Sequence, residues 1–99
     1  MADSRNTTWW AEYADGRMLG FAGLMQASAA WRIKGVWVEP GARGQGIGDR
    51  LARHLIQQAE DGCAPMVEAF AWNPSYYLRL QFKRFGTLPN GAVKLRLIL

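Results

Sequence analysis

The sequence predicts an α+β domain built on a mostly antiparallel sheet, with one long amphipathic helix and one short helix near the C-terminus. Three observations carry this prediction. Two strand patterns are joined by the tight turn Asp15-Gly16, a glycine-rich loop opens directly into a helical pattern, and the last residues alternate after the turn Pro89-Asn90-Gly91. A chain of 99 residues is long enough for one such domain with one core.

The first part of the chain is expected to form three antiparallel strands. Residues 7–14 are rich in Thr, Trp and Tyr, and residues 17–26 follow the hairpin turn. In residues 31–38 the odd-numbered side chains are predicted on one face of the third strand and the even-numbered side chains on the other. This strand leads directly into the glycine-rich loop.

The second part is expected to alternate between helices and strands. Helical spacing extends over residues 46–60 and stops at Gly62, a candidate C-cap, and residues 66–71 form a short apolar strand. Asn73 and Pro74 suit the cap and the first position of a short helix that ends near residue 80. Extended residues 82–86 and the last strand, 92–99, then close the fold as a hairpin.

Composition and charge limit the classes of protein to which the chain can belong. Hydrophobic residues make up 49% and charged residues 20%, which excludes a disordered chain, and the net charge of +4 favours anionic partners. The one cysteine, Cys63, cannot form an internal disulfide, and no Cys/His cluster suggests a metal. No apolar run approaches the roughly 18 residues of a membrane span, and residues 1–6 are too polar for a signal peptide. We therefore expect a cytoplasmic protein without a bound metal.

The glycine-rich segment of residues 38–51 is the most informative part of the chain. A helix start presents backbone N–H groups without partners and the positive end of the helix dipole, so it stabilises an anion such as a pyrophosphate. Glycines at positions 44, 46 and 48 remove the Cβ atoms that would keep phosphate oxygens away. Neither the dinucleotide fingerprint nor the Walker loop has this spacing.

The loop fits a different pattern, Arg/Gln-x-x-Gly-x-Gly/Ala, at residues 43–48, preceded by Val38-x-Pro40. This segment resembles the coenzyme A loop of the GNAT (Gcn5-related N-acetyltransferase) superfamily. Residues 77–82 resemble the family element Tyr-x-x-Leu-Gly-Phe, with Gln81 where glycine is usual. The likeness extends from Thr7 to the C-terminus, so residues 1–99 are interpreted as one truncated domain. It is expected to lack the family's first strand and two helices, and its short helix is about one turn shorter than usual.

The resemblance implies an acyltransferase that moves the acetyl group of acetyl-CoA to an amine by direct attack in a ternary complex. It also implies a splayed third strand that holds the pantetheine arm. Asn73 either bonds to that arm or serves only as the helix cap. The residues that the resemblance assigns to coenzyme A are Val36, Trp37, Val38, Arg43, Gly44, Gln45, Gly46, Ile47, Gly48, Asp49 and Asn73.

The reaction requires a proton acceptor for the amine and a proton donor for the leaving thiolate. Glu68 interrupts an apolar strand and is the candidate base, although a solvent-facing strand position would also explain it. Tyr77 matches the family's general acid, and its neighbour Tyr76 is a rival because the shortened helix could turn either side chain toward the cleft. Adjacent residues on a helix point about 100° apart, so only one of the two can serve. Both tyrosines could instead be structural. Arg50 and Arg53 could also meet the phosphates, but a solvated helix face is preferred for Arg53.

The sequence gives fewer indications of the surface that binds the acceptor amine. Trp9 and Trp10 are adjacent on a strand, so they must face opposite sides. The exposed aromatic surface favours either a homodimer or an open groove for a macromolecule, with a protein lysine or N-terminus as acceptor. Two other functions stay open: an inactive acetyl-CoA-binding module, and a basic, aromatic nucleic-acid binder that uses Arg32, Lys34, Lys83 and Arg84. Compact chains of this kind also occur in phage genomes, which is compatible with action in a host cytoplasm.

Overall fold

The computed structural model describes residues 6–99, which form a six-stranded mixed sheet and two helices. The strands lie in the order β1-β2-β3-β4-β6-β5, and only β3 and β4 pair in parallel. The predicted α+β class and the mostly antiparallel sheet are therefore confirmed. The elements are β1 (Thr7–Ala14), β2 (Arg17–Met25), β3 (Trp31–Val38), α1 (Ile47–Asp61), β4 (Met66–Ala71), α2 (Ser75–Arg79), β5 (Lys83–Thr87) and β6 (Val93–Ile98).

Helix α1 packs across one face of the sheet through the apolar stripe that its sequence predicts. Ile47, Leu51 and Leu55 are almost fully buried there. A Cβ on Gly20 of β2 would lie 3.2 Å from Ile47 and 3.3 Å from Leu51, so glycine allows the helix to approach the strand closely. The C-terminal end of α1 is fixed in the same way, because a side chain on Gly62 would collide with the ring of Trp31.

A β-bulge in β3 overturns the predicted alternation of its side chains. Ile33 pairs with Leu24 and Gly35 pairs with Gly23, so Lys34 is an extra residue without a partner on β2. The bulge reverses the pattern: Ile33 is buried beneath α1, and Val36 also packs on the α1 side. The second half of β3 therefore presents its even-numbered residues, rather than its odd-numbered ones, to the same face as Ile33.

The parallel strands β3 and β4 separate after three paired positions. The last pair is Ile33 with Ala69, although β3 continues to Val38 and β4 to Ala71. Residues 35–38 of β3 still pair with β2, so only their edge toward β4 is released. The splay implied by the family resemblance is present in the fold, and it opens a gap in the sheet.

The second helix, α2, is shorter than the predicted segment and begins later. It spans Ser75–Arg79, with Pro74 as the N-cap instead of the first helical residue. Asn73 is therefore not the N-cap that the sequence predicts, but its side chain still bonds to this turn, because its Oδ1 accepts a hydrogen bond from the Ser75 N–H at 3.3 Å. The helix ends early because Gln81 adopts a left-handed conformation with φ of 74°. A glycine would adopt that conformation without strain, which explains why the departure from the family pattern matters here.

The sheet face opposite α1, which we call the open face, is not covered by either described helix. Trp9, Phe21 and Trp37 form a ladder of rings across β1, β2 and β3, with centroid distances of 5.8 and 5.4 Å. Trp9 remains 53% exposed and Trp37 37% exposed. Trp10 points the other way and meets His54 of α1, so the prediction that Trp9 and Trp10 face opposite sides is confirmed.

Candidate active site

The loop between β3 and α1 prepares the start of the helix for an anion. Gly44 and Gly46 have φ values of 82° and 80°, a region that other residues rarely enter. Gly46 is the N-cap and supplies no side-chain hydrogen bond, and the first backbone bond of the helix is Arg50 N–H to Gly46 O at 3.0 Å. The N–H groups of residues 47–49 therefore have no partner within the helix. These groups and the helix dipole favour phosphate at this point.

A hollow of about 220 Å³ lies over this helix start and contains two arginines. Arg43 leaves the loop, where its Nε donates a hydrogen bond to Val38 O at 3.2 Å. Arg79 enters from α2 and was missed in the sequence, although it stands three residues after Tyr76 and so shares its helix face. Its guanidinium lies 5.6 Å from the centre of the Tyr76 ring. The two cations complement the uncapped N–H groups as partners for a pyrophosphate.

A groove of about 730 Å³ continues from this hollow through the gap between β3 and β4. Val36 and Val38 line it from the α1 face and Phe70 lines it from the open face, so the groove passes between the two strands. The released edge of β3 offers backbone groups along its length. Groove and hollow share Val38, Arg43, Gly48 and Tyr76. Together they form one elongated site, with the uncapped helix start and the two arginines at one end and the released backbone edge of β3 along the rest.

The adjacent tyrosines of α2 have different environments. The Tyr76 hydroxyl donates a hydrogen bond to Gly48 O at the start of α1. Burial, with Tyr77 beside it, raises the pKa of Tyr76 above its ordinary range. Tyr77 lines the groove with 9% of its surface exposed, and burial raises its pKa to about 12. Both phenols are therefore protonated at neutral pH, but Tyr76 is already bonded to the backbone of α1.

Glu68 lies on the open face, two residues before Phe70. Its Oε1 accepts hydrogen bonds from Arg32 Nε at 3.1 Å and Nη2 at 2.9 Å. The Arg32 guanidinium also lies over the ring of Phe70, 4.3 Å from its centre. The Glu68 side chain is 17% exposed and does not line the groove itself. Arg32 therefore orients the carboxylate beside the mouth of the groove on the open face.

Most residues assigned to coenzyme A in the sequence come together at this site. Those that line the groove or the hollow are Val36, Trp37, Val38, Arg43, Gly44, Gly46, Ile47, Gly48, Asp49 and Asn73, joined by Tyr77. Gln45 lines neither, and its carbonyl accepts a hydrogen bond from Arg50 Nη1 at 3.2 Å. Arg50 forms an ion pair with Glu12, and its hydrogen bond to that carboxylate lowers the pKa of Glu12. Arg53 forms an ion pair with Asp49. These two arginines are thus engaged on the surface of α1.

Three further findings concern the described part of the chain. Between residues 6 and 99, no three His, Cys, Asp or Glu side chains are grouped closely enough to hold a metal ion. Neither described helix has the length and apolar character needed to cross a membrane. Cys63 is exposed and follows the C-terminal end of α1, at the opposite end of that helix from the groove.

Comparison with known proteins agrees with this geometry. The family model described as "Acetyltransferase (GNAT) domain" matches residues 4–84. Blasticidin-S acetyltransferase from Streptomyces morookaense is 28% identical over 95 residues, which cover 89% of this chain and 70% of that protein.

Two solved structures share the fold. Rv2747 from Mycobacterium tuberculosis, in complex with CoA, has a TM-score of 0.83 and 19% identity, covering 92% of this chain and 75% of that one. The ribosomal-protein-S18-alanine N-acetyltransferase from Escherichia coli has a TM-score of 0.82 and 18% identity, covering 97% and 71%. The chain therefore belongs to the GNAT family and is an N-acetyltransferase that uses acetyl-CoA.

Proposed function

We propose that this protein transfers the acetyl group to a primary amine of another protein, a lysine side chain or an N-terminus, by direct attack in a ternary complex. The observation that carries the proposal is the groove, which reaches from the uncapped start of α1 through the sheet to the open face. A donor bound along it would present its thioester where an acceptor on the open face can reach it. Cys63 lies at the far end of α1, which argues against an acyl-cysteine route.

Acetyl-CoA would lie with its pyrophosphate against the N–H groups of residues 47–49, between Arg43 and Arg79. Its pantetheine arm would follow the released edge of β3, whose backbone can pair with the arm's amides. Gly48 is suited to this path because a Cβ there would meet Val38 Cγ2 at 3.3 Å and the Tyr76 hydroxyl at 3.5 Å. The coenzyme supplies an activated acetyl group, and the chain supplies orientation and proton transfer.

Tyr77 is the proposed general acid for the departing thiolate. It lines the groove and is protonated at neutral pH, because burial raises its pKa to about 12. Tyr76 is less suited to this role, since its hydroxyl already donates to Gly48 O. We propose that Tyr76 instead fixes α2 to the start of α1 and thereby maintains the shape of the groove.

Glu68 is the proposed base for the incoming amine. An amine with a pKa near 10.4 is almost entirely protonated at pH 7, so it must lose a proton before it attacks. Arg32 bonds to Oε1 of Glu68, and the described residues place no hydrogen bond on Oε2. Oε2 can accept the proton directly or through a water, while Arg32 holds the carboxylate in position.

The exposed aromatic ladder on the open face supports a protein acceptor, because contiguous aromatic surface is typical of macromolecular contacts. The Escherichia coli neighbour named above also acts, by its name, on a ribosomal protein. A small antibiotic amine is the second candidate acceptor. The similarity to blasticidin-S acetyltransferase over most of the chain favours that candidate.

The catalytic assignment is tested by thiol release from acetyl-CoA with lysine peptides, N-terminal peptides and blasticidin S as acceptors. We expect Tyr77→Phe and Glu68→Gln each to lower kcat by roughly a hundredfold with an unchanged KM for acetyl-CoA. Tyr76→Phe is the matched control, and it should raise that KM while leaving kcat nearly unchanged. Full kcat in Tyr77→Phe would overturn the acid assignment.

The acceptor assignment depends on which amine releases the thiol. Turnover with blasticidin S and none with peptides would replace the protein acceptor by the small one. Binding of acetyl-CoA in calorimetry without turnover on any amine would favour the inactive binding module. Tight binding of a single-stranded oligonucleotide without binding of acetyl-CoA would favour a nucleic-acid binder.

We also propose that the protein acts in the cytoplasm. Association of two copies through the ladder of Trp9, Phe21 and Trp37 is the alternative use of this surface, because a ladder covered by a second copy could not contact an acceptor. The support for association is the exposure of the outer two rings in the single chain. Sedimentation of the wild-type protein and of Trp9→Ser tests it. A monomer at all concentrations would contradict the dimer and leave the ladder as part of the acceptor surface.

A further inference from the structure

The open face carries a cluster of cations on its β5 and β6 side, away from the aromatic ladder. Lys94 Nζ lies 4.9 Å and Arg96 Cζ 5.0 Å from the centre of the Phe85 ring, so both cations make cation–π contacts with the same ring. Lys83 stands directly across from Arg96 in the pairing of β5 with β6. We call Lys83, Lys94 and Arg96 the basic cluster.

Within residues 6–99 the basic cluster has no counter-charge. Glu68 is the Cα partner of Arg96 on β4, so the two side chains leave the same face of the sheet. The carboxylate of Glu68, however, bonds to Arg32 on its other side. The ion pairs among the described residues do not include any member of the cluster. The attraction of these three cations is therefore available to an external anion.

The position of the cluster links it to the acceptor side of the site. Lys94 is the Cα partner of Phe70, which lines the groove from the open face. Arg96 is the partner of Glu68, the proposed base, and neighbouring strands are only about 5 Å apart. In a molecule whose amine meets Glu68, the groups on the β6 side of that amine would therefore lie over Arg96 and Lys94.

We propose that the basic cluster binds acidic side chains flanking the acetylated amine, so that the acceptor is a lysine or N-terminus within an acidic segment of a protein. This inference rests on the proposed function and names its acceptor more closely. Charge complementarity carries it, since uncompensated cations steer and hold an acidic peptide but repel a cationic small molecule. The aromatic ladder on the other half of the same face offers a surface for the apolar residues of such a partner.

The test compares peptides that contain one central lysine and a blocked N-terminus, flanked either by glutamates or by glutamines. Binding is followed by fluorescence anisotropy in the presence of CoA, and transfer is followed separately by thiol release. We expect the glutamate peptide to bind the wild type roughly tenfold more tightly than the glutamine peptide. The double variant Lys94→Gln, Arg96→Gln should lose most of this preference, because each exposed charge contact contributes a few-fold.

Arg84→Gln is the matched control. Arg84 lies beside the cluster in sequence, but it pairs with the buried Leu95 and so leaves the opposite face of the sheet. This variant should keep the preference for glutamate. The charge reversal Lys94→Glu, Arg96→Glu should prefer a peptide flanked by lysines, a gain that a merely misfolded variant cannot show. High salt should lower the affinity for the glutamate peptide but not for the glutamine peptide, since screening acts on the charged contacts.

Binding and transfer fail in distinguishable ways. Equal affinity of the wild type for both peptides, or a preference that persists in the double variant, would overturn the basic cluster as the acceptor site. Stronger binding of a single-stranded oligonucleotide than of the glutamate peptide, lost in the double variant, would also overturn it. A glutamate preference in binding without thiol release would leave the cluster in place and contradict the proposed transfer to proteins.

Discussion

The proposed coenzyme side of the site and its open face differ in which groups form the surface. At the coenzyme side the main chain forms the binding surface: two left-handed glycines, an uncapped helix start and the free edge of β3. The open face consists of side chains, with the aromatic ladder on one half and the basic cluster on the other. A backbone surface recognises a constant ligand, whereas a side-chain surface can be changed residue by residue. The difference indicates that donor binding and acceptor choice can be altered independently.

Among the tests of this independence, the largest effect is expected from Gly48→Val, on acetyl-CoA affinity. The Cβ alone would lie 3.3 Å from Val38 Cγ2, and the two γ-methyl groups of valine would enter the shared part of groove and hollow. We expect acetyl-CoA affinity, measured by calorimetry, to fall roughly tenfold to a hundredfold.

Gly41→Ala is the control for this substitution. It changes a glycine of the same loop whose Cβ would meet only Glu39 Oε2, at 3.9 Å, and it should leave the affinity unchanged. Binding of the glutamate peptide to Gly48→Val should also stay close to that of the wild type. If both ligands were lost together, the two halves of the site would not be independent.

The second test uses the alkaline stability of the buried side. Burial raises the pKa of Tyr77 from 10.0 to about 12, so above pH 10 the folded protein keeps a proton that the unfolded chain loses. The stabilisation is therefore complete below pH 10 and disappears as the pH rises toward 12, with a loss of about 2 kcal/mol in the free energy of unfolding. Denaturant unfolding at a series of pH values should show a smaller loss in Tyr77→Phe than in the wild type, and the loss that remains belongs to Tyr76, whose pKa burial also raises. Tyr13→Phe, at an exposed ring, should behave like the wild type.

A smaller effect is expected from the two arginines of the phosphate hollow. Arg43→Ala and Arg79→Ala should each weaken CoA binding by roughly threefold to tenfold, because each removes a charged hydrogen-bond donor from the proposed pyrophosphate position. Neither variant should change the binding of pantetheine, which has no phosphate. Loss of pantetheine affinity in Arg79→Ala would mean that Arg79 acts by holding α2 in place rather than by contacting phosphate.

The same contrast explains how much of the site could be predicted from the sequence. The glycines that shape the helix start, at positions 44, 46 and 48, lie within five residues of one another, so their spacing indicated a phosphate-binding loop, and the resemblance to the GNAT loop narrowed the ligand to coenzyme A. Arg79 and the pair of Arg32 with Glu68 depend on contacts between elements, and a pattern along the chain does not record them. The fold could be predicted wherever the spacing of apolar side chains stayed regular along an element. It could not be predicted at Lys34, because a one-residue bulge there reverses which side chains of β3 lie on each face of the sheet.

The smallest effect tests whether side chains of the open face act as a unit. Arg32 bonds to Glu68 across β3 and β4, with the two side chains 34% and 17% exposed. A double-mutant cycle with Arg32→Met and Glu68→Gln should give a coupling of about 0.5 to 1 kcal/mol in the free energy of unfolding, since partial exposure limits the pair. In kinetics, Arg32→Met should lower kcat by a smaller factor than Glu68→Gln and should not add to its effect, because Arg32 acts only through the carboxylate that it holds. Additive effects on kcat would show that Arg32 has its own contact with the acceptor, and the open face would then consist of separate contacts rather than one network.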